Sequence, residues 1–246
     1  MTEKTPLPDP DLDFENAAPK VMTKEETGEP LIPAPAKVIE FANVKAKILY
    51  YLSEAEYLST AQIIELCFFH LETEGSRKSK ASRALSELVD AGKIREQWFA
   101  NGKLYSLKAI NPTDHNLAVR DIYVKIRRSP FAVARVNFFC KDVAGLTPDL
   151  TVDFGATNGS RIRTYWEYDT GTEGIEELLT KLQRYGEHQL RHRICFVVPE
   201  EPRREKLMRH LAGENISFVV LSQFQTLADA AFATRLKEKN ISYFSL

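Results

Sequence analysis

The chain has 246 residues, of which 43% are hydrophobic and 27% are charged, and its net charge is -1. This composition is typical of an ordinary soluble protein that builds a core without disulfide or metal staples. The apolar runs, such as residues 194–198, are far shorter than the roughly 20 residues of a membrane span, and residues near the start lack the apolar block of a signal peptide. Three scattered cysteines without a C-x-x-C pair argue against a disulfide framework and a cysteine-rich zinc site. We therefore expect a cytoplasmic globular protein.

Residues 1–36 differ from the rest of the chain in charge and in proline content. They contain eight acidic residues, three lysines and seven of the twelve prolines, so the remaining sequence is net basic. Their few apolar residues show no periodicity, and such a composition cannot bury enough surface to offset its chain entropy. We predict a disordered acidic tail over residues 1–36, which acts as a solubilising leader or contacts a partner.

Three helices are predicted between residues 37 and 110. The first shows apolar residues at helical spacing over residues 44–52. The second begins with a capping box, in which Ser59 is the N-cap and Gln62 follows three residues later. The third is predicted over residues 77–92 and ends at a glycine.

A hairpin is predicted directly after the third helix. Residues 94–99 and 103–107 read as strands around an Asn-Gly dipeptide, which is the strongest short hairpin signal. Three helices followed by a hairpin are typical of a winged helix-turn-helix, whose third helix commonly enters the DNA major groove. We therefore predict a winged helix DNA-binding domain over residues 37–110.

Basic residues are concentrated in the third helix and the hairpin. Residues 77–108 contain eight basic and three acidic residues, and the face opposite the apolar stripe carries hydroxyls and cations that suit phosphates and base edges. Winged helices also serve as protein-interaction modules, and a basic run also occurs on ordinary solvated faces. The predicted DNA contacts are Arg77, Lys78, Lys80, Ser82 and Arg83 in the helix and Lys103 in the wing.

A second domain is predicted over residues 112–246. A helix from Asp114 precedes a meander of three strands, and an amphipathic helix over residues 175–185 follows it. Strands and helices then alternate, and short apolar runs such as residues 194–198 are typical of buried central strands. The fold class is therefore α/β, or α+β for the whole chain, with a mixed sheet flanked by helices. The three meander strands are predicted at residues 133–143, 150–154 and 161–169, and later elements at 202–212, 216–221, 227–239 and 241–246.

Carboxylates meet at adjacent strand ends of this meander. Asp149 opens its second strand, and Glu167 and Asp169 end its third. Converging carboxylates suit a hard cation such as Mg²⁺, which can activate water and neutralise a phosphodiester in its transition state. Lys181, at the edge of the apolar stripe of the next helix, can bring its ammonium to the same place. We predict Asp149, Glu167 and Asp169 as Mg²⁺ ligands and, together with Lys181, as catalytic residues.

The same side chains also have a purely structural interpretation. Glu177 and Lys181 can pair one helical turn apart, and Asp169 can cap the turn into the helix. Glu167 can pair with an arginine of its own strand, either Arg161 or Arg163. The two interpretations therefore predict different partners for Glu167 and for Lys181.

The order of these motifs resembles the restriction-endonuclease-like fold, in which Pro-Asp on one strand is followed by Asp/Glu-x-Lys on the next. A closer resemblance, covering residues 38–211, is to the replication-relaxation family of plasmids and integrative elements. The stretches that carry it are Asp114-His115-Asn116-Leu117-Ala118-Val119-Arg120-Asp121, Pro148-Asp149, Glu167-Tyr168-Asp169-Thr170-Gly171-Thr172-Glu173 with Lys181, Leu182 and Tyr185, and Phe196-Val197-Val198-Pro199.

This resemblance implies a DNA-binding factor of a mobile element, involved in plasmid replication, DNA relaxation or transfer. Asp169 stands where the nuclease motif has its lysine, so catalysis would require Lys181 to take that role from the helix. Three functions stay open: a nuclease-like domain that holds DNA without cutting it, a Mg²⁺-dependent nickase or endonuclease, and a winged-helix regulator or protein-interaction adaptor. The expected partners are DNA, other replication or relaxosome proteins and a second copy of the chain, but no membrane.

Overall fold

Seven ranges of the chain are described by the computed structural model: 41–100, 102–129, 131–141, 146–155, 161–187, 194–210 and 217–220. They form a mixed α/β structure with one antiparallel and one mixed sheet. Their elements, in chain order, are α1 (Val44–Ala55), β1 (Tyr57–Ser59), α2 (Thr60–Cys67), α3 (Glu74–Asp90), β2 (Arg95–Phe99), β3 (Gly102–Ser106), α4 (Asp114–Arg127), β4 (Val133–Phe138), β5 (Leu150–Gly155), β6 (Arg161–Tyr168), α5 (Ile175–Glu187), β7 (Ile194–Val198), α6 (Glu201–His210) and β8 (Ser217–Val220).

Side-chain caps determine where the first helices begin. The predicted capping box is confirmed, since the Ser59 hydroxyl accepts from the Gln62 backbone and the Gln62 side chain accepts from the Ser59 backbone. Helix α3 starts at Glu74, three residues before the predicted start, because the hydroxyl of Thr73 accepts a hydrogen bond from the backbone N–H of Ser76.

The small sheet has the order β1-β3-β2 and is antiparallel throughout. The predicted hairpin of β2 and β3 is confirmed, with Phe99 opposite Gly102. Ala100 has a φ of 48°, in the left-handed region that tight hairpin turns use. Strand β1 adds a third strand that the sequence pattern did not indicate. It holds the start of α2 against the hairpin, with Ser59 opposite Leu104.

The large sheet has the order β4-β5-β6-β7-β8. Strands β4, β5 and β6 form the predicted antiparallel meander, whereas β6, β7 and β8 run parallel because α5 and α6 supply the crossovers. A buried cluster on one face joins α4 to residues such as Val152 and Trp166. On the other face, Leu178 and Leu182 of α5 pack with Phe196 in a second cluster. The sheet therefore packs against a helix on each face.

Helix α4 connects the two sheets through buried side-chain contacts. Arg120 is buried and donates from Nε to the carbonyls of Ala55 and Tyr57 at 2.8 and 3.0 Å. At the C-terminal end of the helix, Arg127 pairs with Glu54 of α1. A single buried cluster accordingly runs from α1, α2 and α3 through α4 into β4, β5 and β6.

Several predictions fall on residues outside the described ranges. They are the acidic tail at 1–36, the end of the first meander strand at 142–143, the helix at 227–239 and the last apolar segment at 241–246. Among the described residues, none of the helices is both long enough and apolar enough to span a bilayer.

Candidate functional site

Helix α3 turns its apolar side chains inward and its basic side chains outward. Ala81, Leu85 and Leu88 are buried, as the sequence stripe predicts. Lys80 and Arg83 are exposed on the opposite side. The helix therefore presents a cationic face to solvent while it contributes to the core.

A shallow concave surface lies on the outer side of the N-terminal half of α3. It is lined by Gly75, Ser76, Ser79, Lys80 and Arg83. The glycine and serines are small, and a methyl group added at Gly75 would meet no atom within 4 Å. The backbone of a large ligand can therefore approach this surface closely. The positive end of the helix dipole and the two cations both favour a negatively charged ligand here.

Two of the other predicted contact residues of α3, Lys78 and Arg77, bind nearby groups of the chain. Lys78 forms an exposed ion pair with Glu74 at 2.6 Å, and Arg77 donates from Nε to the Leu71 carbonyl at 2.6 Å. Exposed pairs contribute little to stability, so Lys78 can exchange Glu74 for a phosphate at small cost. Ser82 is exposed on the outer face.

In the hairpin, the predicted contact residue Lys103 forms an ion pair with Glu96. Its ammonium lies 2.8 Å from Glu96, and this hydrogen bond raises the pKa of Lys103. The same ammonium lies 5.5 Å from the ring centroid of Trp98, whose side chain is 67% exposed. The hairpin therefore presents an aromatic ring beside a compensated charge.

Two predicted carboxylates lie at the same end of the large sheet. Leu150 of β5 is opposite Trp166 of β6, so one further step of this antiparallel register places Asp149 opposite Glu167. Opposed residues of antiparallel strands project to the same face. The structure thus brings Asp149 and Glu167 together, as the meander predicts.

Asp149 is held in position by a histidine and by the backbone. Its Oδ1 lies 2.9 Å from Nε2 of His115, and its Oδ2 accepts from the Tyr168 N–H at 2.7 Å. The hydrogen bond to Asp149 raises the pKa of His115. Because His115 lies in the first turn of α4, the start of this helix is tied to the carboxylate end of the sheet.

Glu167 is 2% exposed and binds two side chains of α5. Lys181 Nζ donates to Oε2 at 3.0 Å, and the Tyr185 hydroxyl donates to Oε1 at 2.6 Å. The pKa of Glu167 is raised to about 7, first by burial and then by the nearby carboxylate of Asp149, against the opposing charge of Lys181. A carboxylate with such a pKa exchanges its proton near neutrality.

Asp169 lies in a different interaction. Its Oδ2 accepts from Nε of the buried Arg203 at 2.7 Å, and its Oδ1 accepts from the Gly171 N–H at 2.8 Å. Arg203 also donates to the carbonyl of Glu173 at 2.7 Å. Asp169 therefore orders the turn before α5, which corresponds to the structural interpretation of this residue.

Of the three predicted metal ligands, Asp149 and Glu167 fit Mg²⁺ because their carboxylates lie on the same face of the sheet. Asp169 does not fit, because its carboxylate binds Arg203. The described residues contain no group of three His, Cys, Asp or Glu side chains arranged to hold a metal ion. Mg²⁺ is, however, often held by one or two carboxylates, with water and phosphate oxygens completing its octahedron. The two facing carboxylates of Asp149 and Glu167 match that smaller donor set.

The arginine expected near Glu167 is elsewhere, and Lys181 takes its place. Arg163 pairs with Asp153 at 2.8 Å. Lys181 also lies 3.7 Å from Glu173, while Glu177 accepts from the Gly174 N–H. The ammonium of Lys181 lies at the predicted carboxylates, where it binds Glu167.

Sequence reasoning missed His115 and Arg203 as parts of these interactions. His115 follows the N-cap Thr113 within a helix whose periodicity indicates only packing. Arg203 lies 34 residues after its partner Asp169, and no local pattern links them. The combination of an N-cap with a histidine in the first helical turn is the one signal that could have marked His115.

The chain was compared with known families and proteins. It matches no protein-family model, and no curated protein matches it.

Proposed function

We propose that this protein binds duplex DNA through α3. The observation that carries the proposal is the concave outer face of this helix, where Lys80 and Arg83 flank the small residues Gly75, Ser76 and Ser79. Binding of DNA phosphates requires cations and hydrogen-bond donors on a surface that the DNA backbone can approach. This face of α3 offers such a surface.

The order of elements supports a winged helix for residues 37–110. Helix α3 follows α2 and precedes the β2–β3 hairpin, and β1 completes a three-stranded sheet. In such folds the third helix lies in the major groove. Residues 112–246 are proposed to form a restriction-endonuclease-like domain, which the facing Asp149 and Glu167 support.

The resemblance to the replication-relaxation family supports a role in plasmid replication, DNA relaxation or transfer. In this proposal the nuclease-like domain holds DNA or a partner protein of the replication machinery. The ion pair between Asp169 and Arg203 occupies a carboxylate that the predicted metal site would use, which favours a domain that need not cut.

Binding of a fluorescent duplex to the full-length protein tests this proposal. Arg83→Ala should weaken binding roughly tenfold or more and reduce the slope of log K against log salt by about 1, because one phosphate contact is lost. The matched control is Lys206→Ala, which removes one exposed positive charge from α6. Equal affinity and equal salt slope for Arg83→Ala and the wild type would refute the assignment of α3.

A metal-dependent nickase is the second candidate, favoured by the cluster of Asp149, Glu167 and Lys181. When bound, Mg²⁺ would neutralise charge on a scissile phosphate. Asp149 and Glu167 would hold it, while Tyr185 and Lys181 keep Glu167 oriented. Lys181, which is 32% exposed at its side chain, can also place its ammonium near a phosphate oxygen.

Supercoiled plasmid in the presence and absence of Mg²⁺ or Mn²⁺ tests this second candidate. Nicking by the wild type should be lost in Asp149→Asn and in Glu167→Gln, which preserve side-chain size. Glu176→Gln, an exposed change on α5, should nick at the wild-type rate. A salt-sensitive band shift without nicking by the wild type would exclude the nickase and retain the DNA-binding function.

A further inference from the structure

Polar residues follow three neighbouring strands on the α5 face of the large sheet. In one row across the strands, Arg135 of β4 lies opposite Asp153 of β5, which lies opposite Arg163 of β6. Two residues nearer the carboxylates, Asn137 lies opposite Thr151. The next step in the same direction reaches Asp149 and Glu167, so the polar rows lead directly to the candidate site.

Helix α5 covers only part of this face. Its buried residues Leu178, Leu182 and Tyr185 pack with side chains of β6 and β7, such as Tyr165 and Phe196. The half of the face formed by β4 and β5 carries the polar rows instead. A face meant for a packed helix is normally apolar, so this half is suited to a polar ligand.

Three arginines lie on this face of the sheet, one on β4 and two on β6. Arg135 and Arg161 are exposed, and the Arg163 side chain is 37% exposed. The carboxylate of Asp153 is 7% exposed and binds Nε of Arg163 at 2.8 Å, which fixes that guanidinium above the sheet. Arg135 donates from Nε to Asn137 at 3.1 Å. We call Arg135, Arg161 and Arg163 the arginine strip.

The distance from the arginine strip to the carboxylates fits a nucleic acid strand. Arg135 and Arg163 flank Asp153, which lies four residues after Asp149, or about 14 Å at roughly 3.4 Å per residue. That distance corresponds to about four phosphates of one strand at the B-form rise. A nucleic acid strand that crosses the strip and continues in this direction can therefore place a phosphodiester at the carboxylates.

We propose that the arginine strip is a second nucleic acid surface, which binds the phosphate backbone of one strand and directs it to Asp149 and Glu167. This inference rests on the proposed DNA-binding function and adds the path of the strand over the sheet. Guanidinium groups suit this task because they remain charged and donate in a planar fork to phosphate oxygens.

The test is a salt titration of DNA binding with single-residue variants of the full-length protein. Arg135→Ala should reduce the slope of log K against log salt by about 1, since one phosphate contact is lost. Arg135→Lys should retain most of the slope because the charge stays. Arg209→Ala, which removes an exposed charge from α6, should match the wild type. Far-UV circular dichroism and the thermal midpoint verify that each variant is folded.

The outcomes separate this inference from the proposed function. If the wild type binds DNA and Arg83→Ala weakens it, while Arg135→Ala behaves like Arg209→Ala, the arginine strip is refuted and the role of α3 stands. If the wild type binds no DNA at low salt, both proposals fail. If Arg135→Ala lowers the slope and Arg135→Lys restores it, the strip is supported.

A native thiol gives a second readout of the same path. Cys140 is exposed and lies two residues after β4, whereas Cys67 and Cys195 are buried. The Phe139 N–H donates to the Asp149 carbonyl, so Cys140 is beside the candidate site. Saturating DNA should slow the reaction of Cys140 with a thiol reagent several-fold in the wild type. Equal reaction rates with and without bound DNA would overturn the proposed path.

Discussion

At the scale of single residues, the raised pKa of Glu167 makes the stability of the fold depend on pH. Its pKa rises from 4.5 to about 7 in the folded protein, mainly because burial disfavours the charged form. The folded state thus retains a proton that the unfolded chain releases near pH 4.5. The stabilisation linked to this proton is fully present below pH 4.5 and is lost as the pH rises through 7.

Replacing the glutamate should remove this dependence. The free energy of unfolding of the wild type, relative to Glu167→Gln, should fall by up to about 3 kcal/mol between pH 5 and pH 8. Urea unfolding at several pH values in buffer with EDTA measures it. Glu176→Gln, an exposed change on α5, should follow the wild type. A constant difference between the wild type and Glu167→Gln would contradict the raised pKa.

The residues that assemble around Glu167 could be predicted only where local geometry determines them. Antiparallel pairing of adjacent strands brings Asp149 to Glu167, and the helical stripe of α5 brings Lys181. Asp169 could not be placed in the same way, because β6 ends at Tyr168 and alternation no longer defines its direction. Its partner Arg203 comes from α6, a contact that only the assembled fold creates.

At the scale of elements, caps and apolar runs predicted most of the structure. The strand over Ile194–Val198 and the start of α4 at Asp114 agree with the sequence, since a five-residue apolar run and a defined helix start are local signals. Strand β1 has three residues, too few to show alternation, and its partner β3 follows some 45 residues later along the chain. Its pairing therefore depends on tertiary contacts alone.

At the scale of the whole molecule, α4 connects the proposed DNA-binding and nuclease-like parts. Glu56 ends α1 with a φ of 64°, an uncommon conformation for a residue other than glycine. The carbonyls on either side of it converge on Arg120, whose guanidinium also stacks 3.6 Å from the centroid of the Tyr57 ring. A second contact, from Gln62 to Asp121 at 2.7 Å, fixes α2 to the same helix. The two parts should therefore unfold together.

Unfolding of an Arg120→Ala variant tests this connection. Removal of the guanidinium leaves the Ala55 and Tyr57 carbonyls without their buried donor, so the free energy of unfolding should fall by about 2–4 kcal/mol. Arg128→Ala, which breaks an exposed pair between the C-cap residue of α4 and Glu65 of α2, should cost less than about 1 kcal/mol.

The cooperativity of that unfolding gives the sharper readout, since it asks whether α4 makes one body of the chain. In a Trp98→Phe background, Trp166 in the large sheet is the single remaining tryptophan, while far-UV circular dichroism follows all helices. The two signals should coincide with Arg120 present, as in a two-state transition, and should separate in Arg120→Ala. Separate transitions with Arg120 intact would show that the buried cluster does not couple the two parts, and DNA bound at α3 would then hold no fixed position relative to Asp149 and Glu167.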